Sequence, residues 1–163
     1  MSFWRTYYHI TWAVKKRLPL ITADIETQLF QYIKKKSDSY GCILHAINGI
    51  ENHIHLVVSI PPKISISDFV GKIKGSSAHY INHDSELKTQ FVWQRSYGVL
   101  SMGQKQLQIA IDYVVNQKEH HKKGTIINRL ETDEEEIRKG GNIVRQITNE
   151  IHEVNKSYNH LKF

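Results

Sequence analysis

The fold is decided by the segment Glu51-Asn52-His53-Ile54-His55-Leu56-Val57-Val58, which continues through Ser59 and Ile60 and is stopped by Pro61-Pro62. A short apolar run that is rich in β-branched residues and ended by prolines is typical of a strand. Side chains of a strand alternate between the two faces of its sheet, so His53 and His55 share one face and Ile54 points to the other.

Before and after this strand, hydrophobic periodicity predicts further strands and helices along the chain. In chain order they are a strand over 3–14, a helix from Thr22 to Ser39, strands over 42–48 and 54–60 joined by a turn at Asn48-Gly49, a helix opened by Ser67 and Asp68, a long strand over 90–101 kinked at Gly98, and a helix from Lys105 to about His121. This is the βαββαβ order of a ferredoxin-like sandwich, an α+β fold in which helices cover one face of an antiparallel sheet. The helix from Lys105 to about His121 follows this βαββαβ unit as an additional C-terminal element.

Composition indicates one compact domain. The chain has 163 residues, of which 40% are hydrophobic and 23% are charged. We expect this domain to occupy 1–125, with an acidic loop and a short terminal helix of unassigned role in 126–163. The sequence has no apolar run long enough to span a membrane, no signal peptide and a single cysteine, so a cytoplasmic location is expected. The net charge of +6 favours a polyanionic partner, although many basic proteins bind no nucleic acid.

The histidine pair is a candidate cation site. Two imidazoles on one strand face lie roughly 6.5–7 Å apart along the strand and can converge on one ion. Taken alone, the pair is also explained without an ion, as two half-buried histidines with ordinary hydrogen bonds.

The last predicted helix carries a second candidate group. Leu107, Ile111, Val114 and Val115 form an apolar stripe, and Tyr113 and Gln117 lie one turn apart on its flank, where we expect them near the sheet edge. A phenol with a pKa near 10 is a poor nucleophile unless its electrophile is polarised, as a phosphodiester beside a divalent cation is. Gln117 offers a carbonyl oxygen as a third ligand. Alternatively, Tyr113 is a boundary aromatic whose hydroxyl reaches water.

Together these segments resemble the HUH-type single-tyrosine transposases of small bacterial insertion sequences, the IS200-like transposase family. The motif of two histidines around a hydrophobic residue is His53-Ile54-His55. The resemblance spans residues 5–125 and is carried by 52–63 around the histidine strand, 65–78 in the following helix, 91–98 in the next strand and 113–121 in the tyrosine helix.

The resemblance implies a mechanism and a set of site residues. Tyr113 is expected to be the nucleophile, and His53, His55 and Gln117 are expected to hold Mg²⁺ or Mn²⁺, with Asn116 or His120 supporting them. A closed zinc site is not expected from three protein ligands. The activity implied is cleavage and rejoining of single-stranded DNA at hairpins, through a 5′-phosphotyrosine. Members act as homodimers, here through the strand at 91–101, with Tyr113 serving either its own site or the site of the partner.

DNA contacts are expected to be dominated by phosphates, with aromatic side chains as stacking surfaces. The candidate cations are Lys15, Lys16, Arg17, Lys63, Lys72, Lys74 and Arg95, and the candidate stacking residues are Trp4, Trp93 and Tyr97. A solvated lysine or a core tryptophan is the alternative for each of them.

Two other functions remain open from the sequence. A non-catalytic or domesticated binder of structured nucleic acid would explain the charge and the fold, but it gives no reason for His53, His55, Tyr113 and Gln117 to converge. An HUH nickase for replication or conjugation would share the chemistry and differ in its DNA context.

Overall fold

The computed structural model describes residues 3–85 and 87–131, together with Glu153 and Lys156. Its centre is a four-stranded antiparallel sheet with the spatial order β2-β3-β1-β4. The strands are β1 (Tyr7–Ala13), β2 (Ile43–Ile50), β3 (His53–Ser59) and β4 (Gly98–Met102). This order is that of the predicted ferredoxin-like sandwich, and the α+β fold class is confirmed.

Helices cover both faces of this sheet. In chain order they are α1 (Ala23–Ser39), α2 (Ile66–Asp84), α3 (Gln104–Val115), α4 (Gln117–Lys123) and α5 (Asn128–Glu131), and a 3₁₀ turn spans Lys15–Arg17. The predicted pair α1 and α2 packs on one face, and α3 packs on the other across β2, β3 and β1. None of the helices in the described part of the chain is both long and apolar enough to cross a membrane.

Strand β3 is central and is buried along its whole length. Ile54, Leu56 and Val58 belong to the main core together with residues of β1, α1 and α2. Val57 belongs to the smaller core under α3, on the same side as His53 and His55. The predicted alternation of the histidine strand is therefore confirmed, and the two imidazoles lie between the sheet and the added helix.

Three predicted boundaries are wrong. Asn48-Gly49 lies inside β2, and the two-residue turn of the hairpin is Glu51-Asn52, because Ile50 pairs with His53. The long strand over 90–101 reduces to β4 and one isolated bridge between Val14 and Trp93. The helix predicted from Lys105 to His121 is interrupted at Asn116.

The second core extends past the predicted domain limit at residue 125. Leu130 is 1% exposed in that core, and Ile127 packs against it. The division into 1–125 and 126–163 stays a prediction, but 126–131 pack on the domain. Most of the predicted acidic loop, and the predicted terminal helix apart from Glu153 and Lys156, lie outside the described residues.

Trp93 is a core residue. Its ring packs edge-on against Trp12 and Phe91, and its Nε1 donates to Ser77 Oγ at 2.9 Å. Because the side chain is buried, the core alternative for this tryptophan is confirmed and its predicted role as a stacking surface is wrong.

Gly49 permits the close approach of β2 to the beginning of β3. A Cβ at Gly49 would lie 2.2 Å from the carbonyl oxygen of His53, whereas a Cβ at Gly71 on α2 meets nothing within 4 Å. We expect Gly49→Ala to lower the free energy of unfolding by about 1–3 kcal/mol, because backbone must shift to relieve the overlap.

The matched control is Gly71→Ala, which should raise stability by up to about 1 kcal/mol because alanine favours a helix. Urea unfolding followed by circular dichroism measures both changes. A Gly49→Ala protein as stable as the parent would contradict the close approach.

Candidate active site

The two histidines of β3 converge on one carboxylate. His53 Nε2 lies 2.9 Å and His55 Nε2 lies 3.1 Å from Oε2 of Glu131. Both imidazoles are buried, and the Glu131 side chain is 12% exposed. Burial lowers the pKa of His55, which favours the neutral imidazole. Burial opposes ionisation of Glu131, but its hydrogen bonds with His53 and His55 bring the pKa of its carboxyl well below the ordinary value.

His121 joins the same cluster from α4. Its Nε2 lies 3.2 Å from Glu131 Oε2, and its ring meets that of His53 with centroids 5.0 Å apart. One donor atom from each of His53, His55, His121 and Glu131 lies within 4.8 Å of every other. Three imidazoles and a carboxylate at this spacing are a chemically reasonable donor set for a divalent ion. The structure thus brings together four candidate donors, of which the sequence predicted His53 and His55.

Tyr113 reaches the opposite oxygen of the same carboxylate. Its hydroxyl donates to Glu131 Oε1 at 2.7 Å and accepts from the backbone N–H of Ile127 at 3.1 Å. The ring lies edge-on to His9 and His55. Burial raises the pKa of Tyr113 above its ordinary value, and the hydrogen bond to Glu131 raises it further. The hydroxyl is therefore protonated at neutral pH and needs a proton acceptor before it can react.

Gln117 is buried beside this hydroxyl. The side chain is 0% exposed, and its Oε1 and Nε2 have no hydrogen-bond partner among the described residues. The amide is nevertheless close enough to Tyr113 to lower the pKa of its hydroxyl slightly. Tyr113 is 3% exposed, so the prediction that both side chains lie near the sheet edge is wrong. An amide buried without partners is costly and fits a ligand role.

Two further residues orient the histidine pair from behind. Asn52 Oδ1 accepts a hydrogen bond from His53 Nδ1 at 2.7 Å, because an amide oxygen has no proton to give. His55 Nδ1 lies 3.0 Å from Nε2 of His9, whose ring stacks on it. Burial lowers the pKa of His9 to about 3, so this ring is neutral. Such contacts fix the tautomer and the direction of ligand imidazoles.

The tyrosine helix is held to the sheet by Asn48. Its Nδ2 donates to the carbonyl of Val115 at 2.7 Å, and its Oδ1 accepts from Lys118 Nζ at 2.7 Å. Lys118 also pairs with Glu26 of α1 at 2.9 Å. These bonds secure the junction of α3 and α4 against β2, with Tyr113 on one side of it and His121 on the other.

The two predicted supporting residues have different positions. Asn116 is exposed at the junction of α3 and α4, and its amide donates to the carbonyl of Asp112 at 2.8 Å. His120 stacks on the ring of Tyr113 with centroids 4.8 Å apart, and its Nδ1 lies 3.0 Å from Thr125 Oγ1. His120 thus contacts the candidate nucleophile, while Asn116 serves the helix junction.

The predicted DNA contacts fall in separate places. Lys74, Arg95 and Tyr97 line a groove of about 480 Å³ between α2 and residues 92–97, where Lys74 Nζ donates to the carbonyls of Arg95 and Ser96. The other candidates lie elsewhere: Lys15 and Lys16 line a smaller cavity of about 230 Å³, Arg17 ends the 3₁₀ turn, Lys72 lies over the ring of Tyr40, and Lys63 is near Cys42.

Sequence reasoning missed four residues of this site: His9, Asn52, His121 and Glu131. His121 carried a signal, since Tyr113, Gln117 and His121 recur every four residues and such spacing keeps side chains on one helix flank. Glu131 begins an acidic run that is typical of a solvated loop, so its sequence position alone could not separate it from its neighbours.

Comparison with known proteins identifies the family of the chain. The family model for IS200-like transposases matches residues 2–117, and the chain belongs to this family of tyrosine transposases. The match ends before His121 and Glu131.

Two curated relatives are also described as transposases. The transposase for insertion sequence element IS200 of Salmonella typhimurium strain LT2 is 29% identical over 126 residues, which are 74% of this chain and 82% of that protein. The ISDra2 transposase TnpA of Deinococcus radiodurans is 26% identical over 102 residues, which are 60% of this chain and 73% of that protein.

Solved structures share the fold. A transposase crystal structure from Deinococcus radiodurans R1 superposes with a TM-score of 0.58 at 25% identity, over 72% of this chain and 95% of that one. The REP-associated tyrosine transposase bound to a REP hairpin gives a TM-score of 0.56 at 19% identity, over 77% of this chain and 76% of that one.

His9 is expected to position His55. His9→Phe fills the space but removes the partner of His55 Nδ1, and loss of such a partner typically weakens metal binding about 10–100-fold. His9→Gln places an amide group near the former Nε2 and should restore most of the affinity. Titration with Mn²⁺, followed by the electron paramagnetic resonance signal of free Mn²⁺, compares the two variants with the parent. Equal affinities in all three proteins would remove His9 from this role.

Proposed function

We propose that this chain is an active single-stranded DNA transposase that cleaves and rejoins DNA through a 5′-phosphotyrosine on Tyr113. In this proposal His53, His55 and Gln117 hold a divalent ion, Mg²⁺ or Mn²⁺. One observation carries the proposal: the Tyr113 hydroxyl and both histidines contact a single carboxylate, although they are far apart in sequence. A non-catalytic binder of nucleic acid would not need this convergence.

The reaction begins at the tyrosine oxygen. The Tyr113 hydroxyl attacks a phosphodiester phosphorus and passes its proton to Glu131 Oε1, with which it already shares a hydrogen bond of 2.7 Å. The new Tyr–O–P bond replaces the bond from phosphorus to the 3′ oxygen, which departs and takes a proton from solvent to become a free 3′-hydroxyl. A divalent ion at the histidines would supply charge neutralisation and polarisation of the phosphate.

Strand joining is the reverse step. A different 3′-hydroxyl loses its proton to solvent and attacks the phosphotyrosine, the P–O bond to Tyr113 breaks, and the phenolate takes back the proton held by Glu131 Oε1. The number of phosphoester bonds is conserved, so no nucleotide hydrolysis is needed. Asn52 and His9 keep the imidazoles in place through both steps, and His120 supports the aromatic ring.

The DNA partner is proposed to be single-stranded DNA with a hairpin. The groove with Lys74, Arg95 and Tyr97 offers positive charge and an aromatic face, and Lys15, Lys16 and Arg17 add a basic turn at the end of β1. Phosphate contacts and base stacking would then provide most of the affinity. A solved fold relative is bound to a REP hairpin, which agrees with this choice of partner.

The assembly is proposed to be a homodimer formed through β4. This strand is at the edge of the sheet, and Val99 is 37% exposed on it. An uncovered edge offers backbone groups that another strand can pair with. Because Tyr113 already lies beside the histidines of its own chain, we propose that it acts in cis, and that the alternative of Tyr113 serving the partner site does not apply.

Tyr113→Phe is expected to abolish covalent DNA capture and to leave hairpin binding nearly unchanged, because the ring still packs while the attacking oxygen is gone. Denaturing gel electrophoresis of labelled single-stranded DNA from the flanks of the gene measures the adduct. Tyr32→Phe is the control, since Tyr32 stacks on Tyr80 away from the site. A denaturation-resistant adduct in Tyr113→Phe would exclude this residue as nucleophile.

His53→Ala is expected to lose cleavage that depends on added Mn²⁺ or Mg²⁺ by at least about 100-fold, because the remaining donors form an incomplete coordination shell. The control is His79→Ala, whose imidazole is exposed on α2 and contacts His83. The same gel assay, repeated with a chelator, reports the metal dependence. Undiminished cleavage in His53→Ala would remove this histidine from the site.

A further inference from the structure

We propose that His121 and Glu131 are two additional ligands of the ion, and that with His53 and His55 they form a site for a divalent transition metal of the Mn²⁺, Co²⁺ or Zn²⁺ class. This inference rests on the proposed function, because it concerns the same ion. It goes further by adding two ligands from beyond residue 117, where the family match ends, and by assigning a preference among metals.

The distances between donor atoms fit shared coordination. Glu131 Oε2 lies 2.9, 3.1 and 3.2 Å from Nε2 of His53, His55 and His121. Ligand bonds of about 2.1 Å place adjacent donors of an octahedron about 3.0 Å apart, and adjacent donors of a tetrahedron about 3.4 Å apart. The three separations from Glu131 match those of neighbouring vertices around one ion, and all four donor atoms lie within 4.8 Å of one another.

The orientation of His53 gives a second argument. Asn52 Oδ1 can only accept, so Nδ1 of His53 donates to it, and the opposite nitrogen, Nε2, faces Glu131 Oε2 at 2.9 Å. The ring is thereby held with one nitrogen directed at the point where the four donor atoms converge.

His55 is held in the same way by His9. Its Nδ1 lies 3.0 Å from Nε2 of His9, and its Nε2 faces Glu131 Oε2 at 3.1 Å. Both strand histidines are thus held through one nitrogen and direct the other at the point where the carboxylate lies. This is the arrangement that metal-ligating histidines usually show.

The donor set discriminates among ions. Imidazole nitrogens favour first-row transition metals, whereas Mg²⁺ prefers oxygen donors and retains its water. Three imidazoles and one carboxylate should therefore bind Mn²⁺, Co²⁺ or Zn²⁺ in strong preference to Mg²⁺. In an octahedral arrangement, vertices remain for Gln117 and for the substrate.

Glu131 also links this site to the nucleophile. Its Oε2 faces the three histidines and its Oε1 accepts the hydroxyl of Tyr113. One carboxylate thereby fixes the distance between the phenol oxygen and the ion. The same residue both serves as a ligand and positions the nucleophile.

Metal binding by the full chain tests the proposal without any turnover. Free Mn²⁺ is followed by electron paramagnetic resonance for the parent, Glu131→Gln, His121→Ala and His53→Ala, with Mg²⁺ as competitor. We expect one Mn²⁺ per chain, about ten-fold or greater loss of affinity in each of the three variants, and little displacement by a large excess of Mg²⁺. The controls are Glu119→Gln, which removes an exposed carboxylate paired with Lys123, and His79→Ala.

The outcomes separate this inference from the proposed function. Unchanged affinity in Glu131→Gln or His121→Ala, with loss in His53→Ala, overturns the ligand role of that residue and leaves the transposase proposal standing. Tighter Mn²⁺ binding in Glu131→Gln would show that the carboxylate competes with the ion, which also overturns it. Ready displacement by Mg²⁺ overturns the metal preference. Thermal unfolding of each variant confirms that it is folded.

Discussion

Strand β3 is covered on both faces, and the site depends on this double burial because its two histidines need polar partners inside the protein. One face of the strand supplies Ile54, Leu56 and Val58 to the core under α1 and α2. The other face would be equally apolar in an ordinary sandwich, but here it carries two imidazoles. Polar rings in such a place need partners, since a buried nitrogen without one is costly. The rest of the site supplies those partners.

Partners for the imidazoles come from three different parts of the chain. Asn52 precedes the strand, His9 lies on the neighbouring strand β1, and Glu131 follows the tyrosine helix. The last of these is the most consequential, because its two oxygens join the histidines to Tyr113. Helix α3 therefore does more than bury apolar area on the sheet, because Tyr113 is also linked through Glu131 to the histidines of β3.

Local patterns predicted the parts of this structure that depend on periodicity. The two-residue alternation placed His53 and His55 on one face, and four-residue spacing placed Tyr113 and Gln117 on one flank. These local patterns failed where a tertiary contact determines the structure. The hairpin turns at Glu51-Asn52, two residues after the favourable turn sequence Asn48-Gly49, because strand register overrides local turn preference.

Local sequence patterns also could not predict how deeply the helix flank with Tyr113 and Gln117 is buried. Helical spacing gives the angle of a side chain around the axis, but not which flank the sheet covers. Val115, assigned to the apolar stripe, is 57% exposed, while Tyr113 and Gln117 are buried. The break of the helix at Asn116 and the return of the chain to Glu131 depend on contacts across the fold, which no window of sequence contains.

The burial of His53 and His55 has a consequence for the evolution of such proteins. Each ring fills core volume and satisfies a neighbour, so replacing either one costs folding energy independently of any role in chemistry. A descendant that had given up mobility and served its host would be under pressure to keep both rings for packing alone. The presence of both histidines in a relative therefore indicates an intact sheet and is not by itself evidence of transposition.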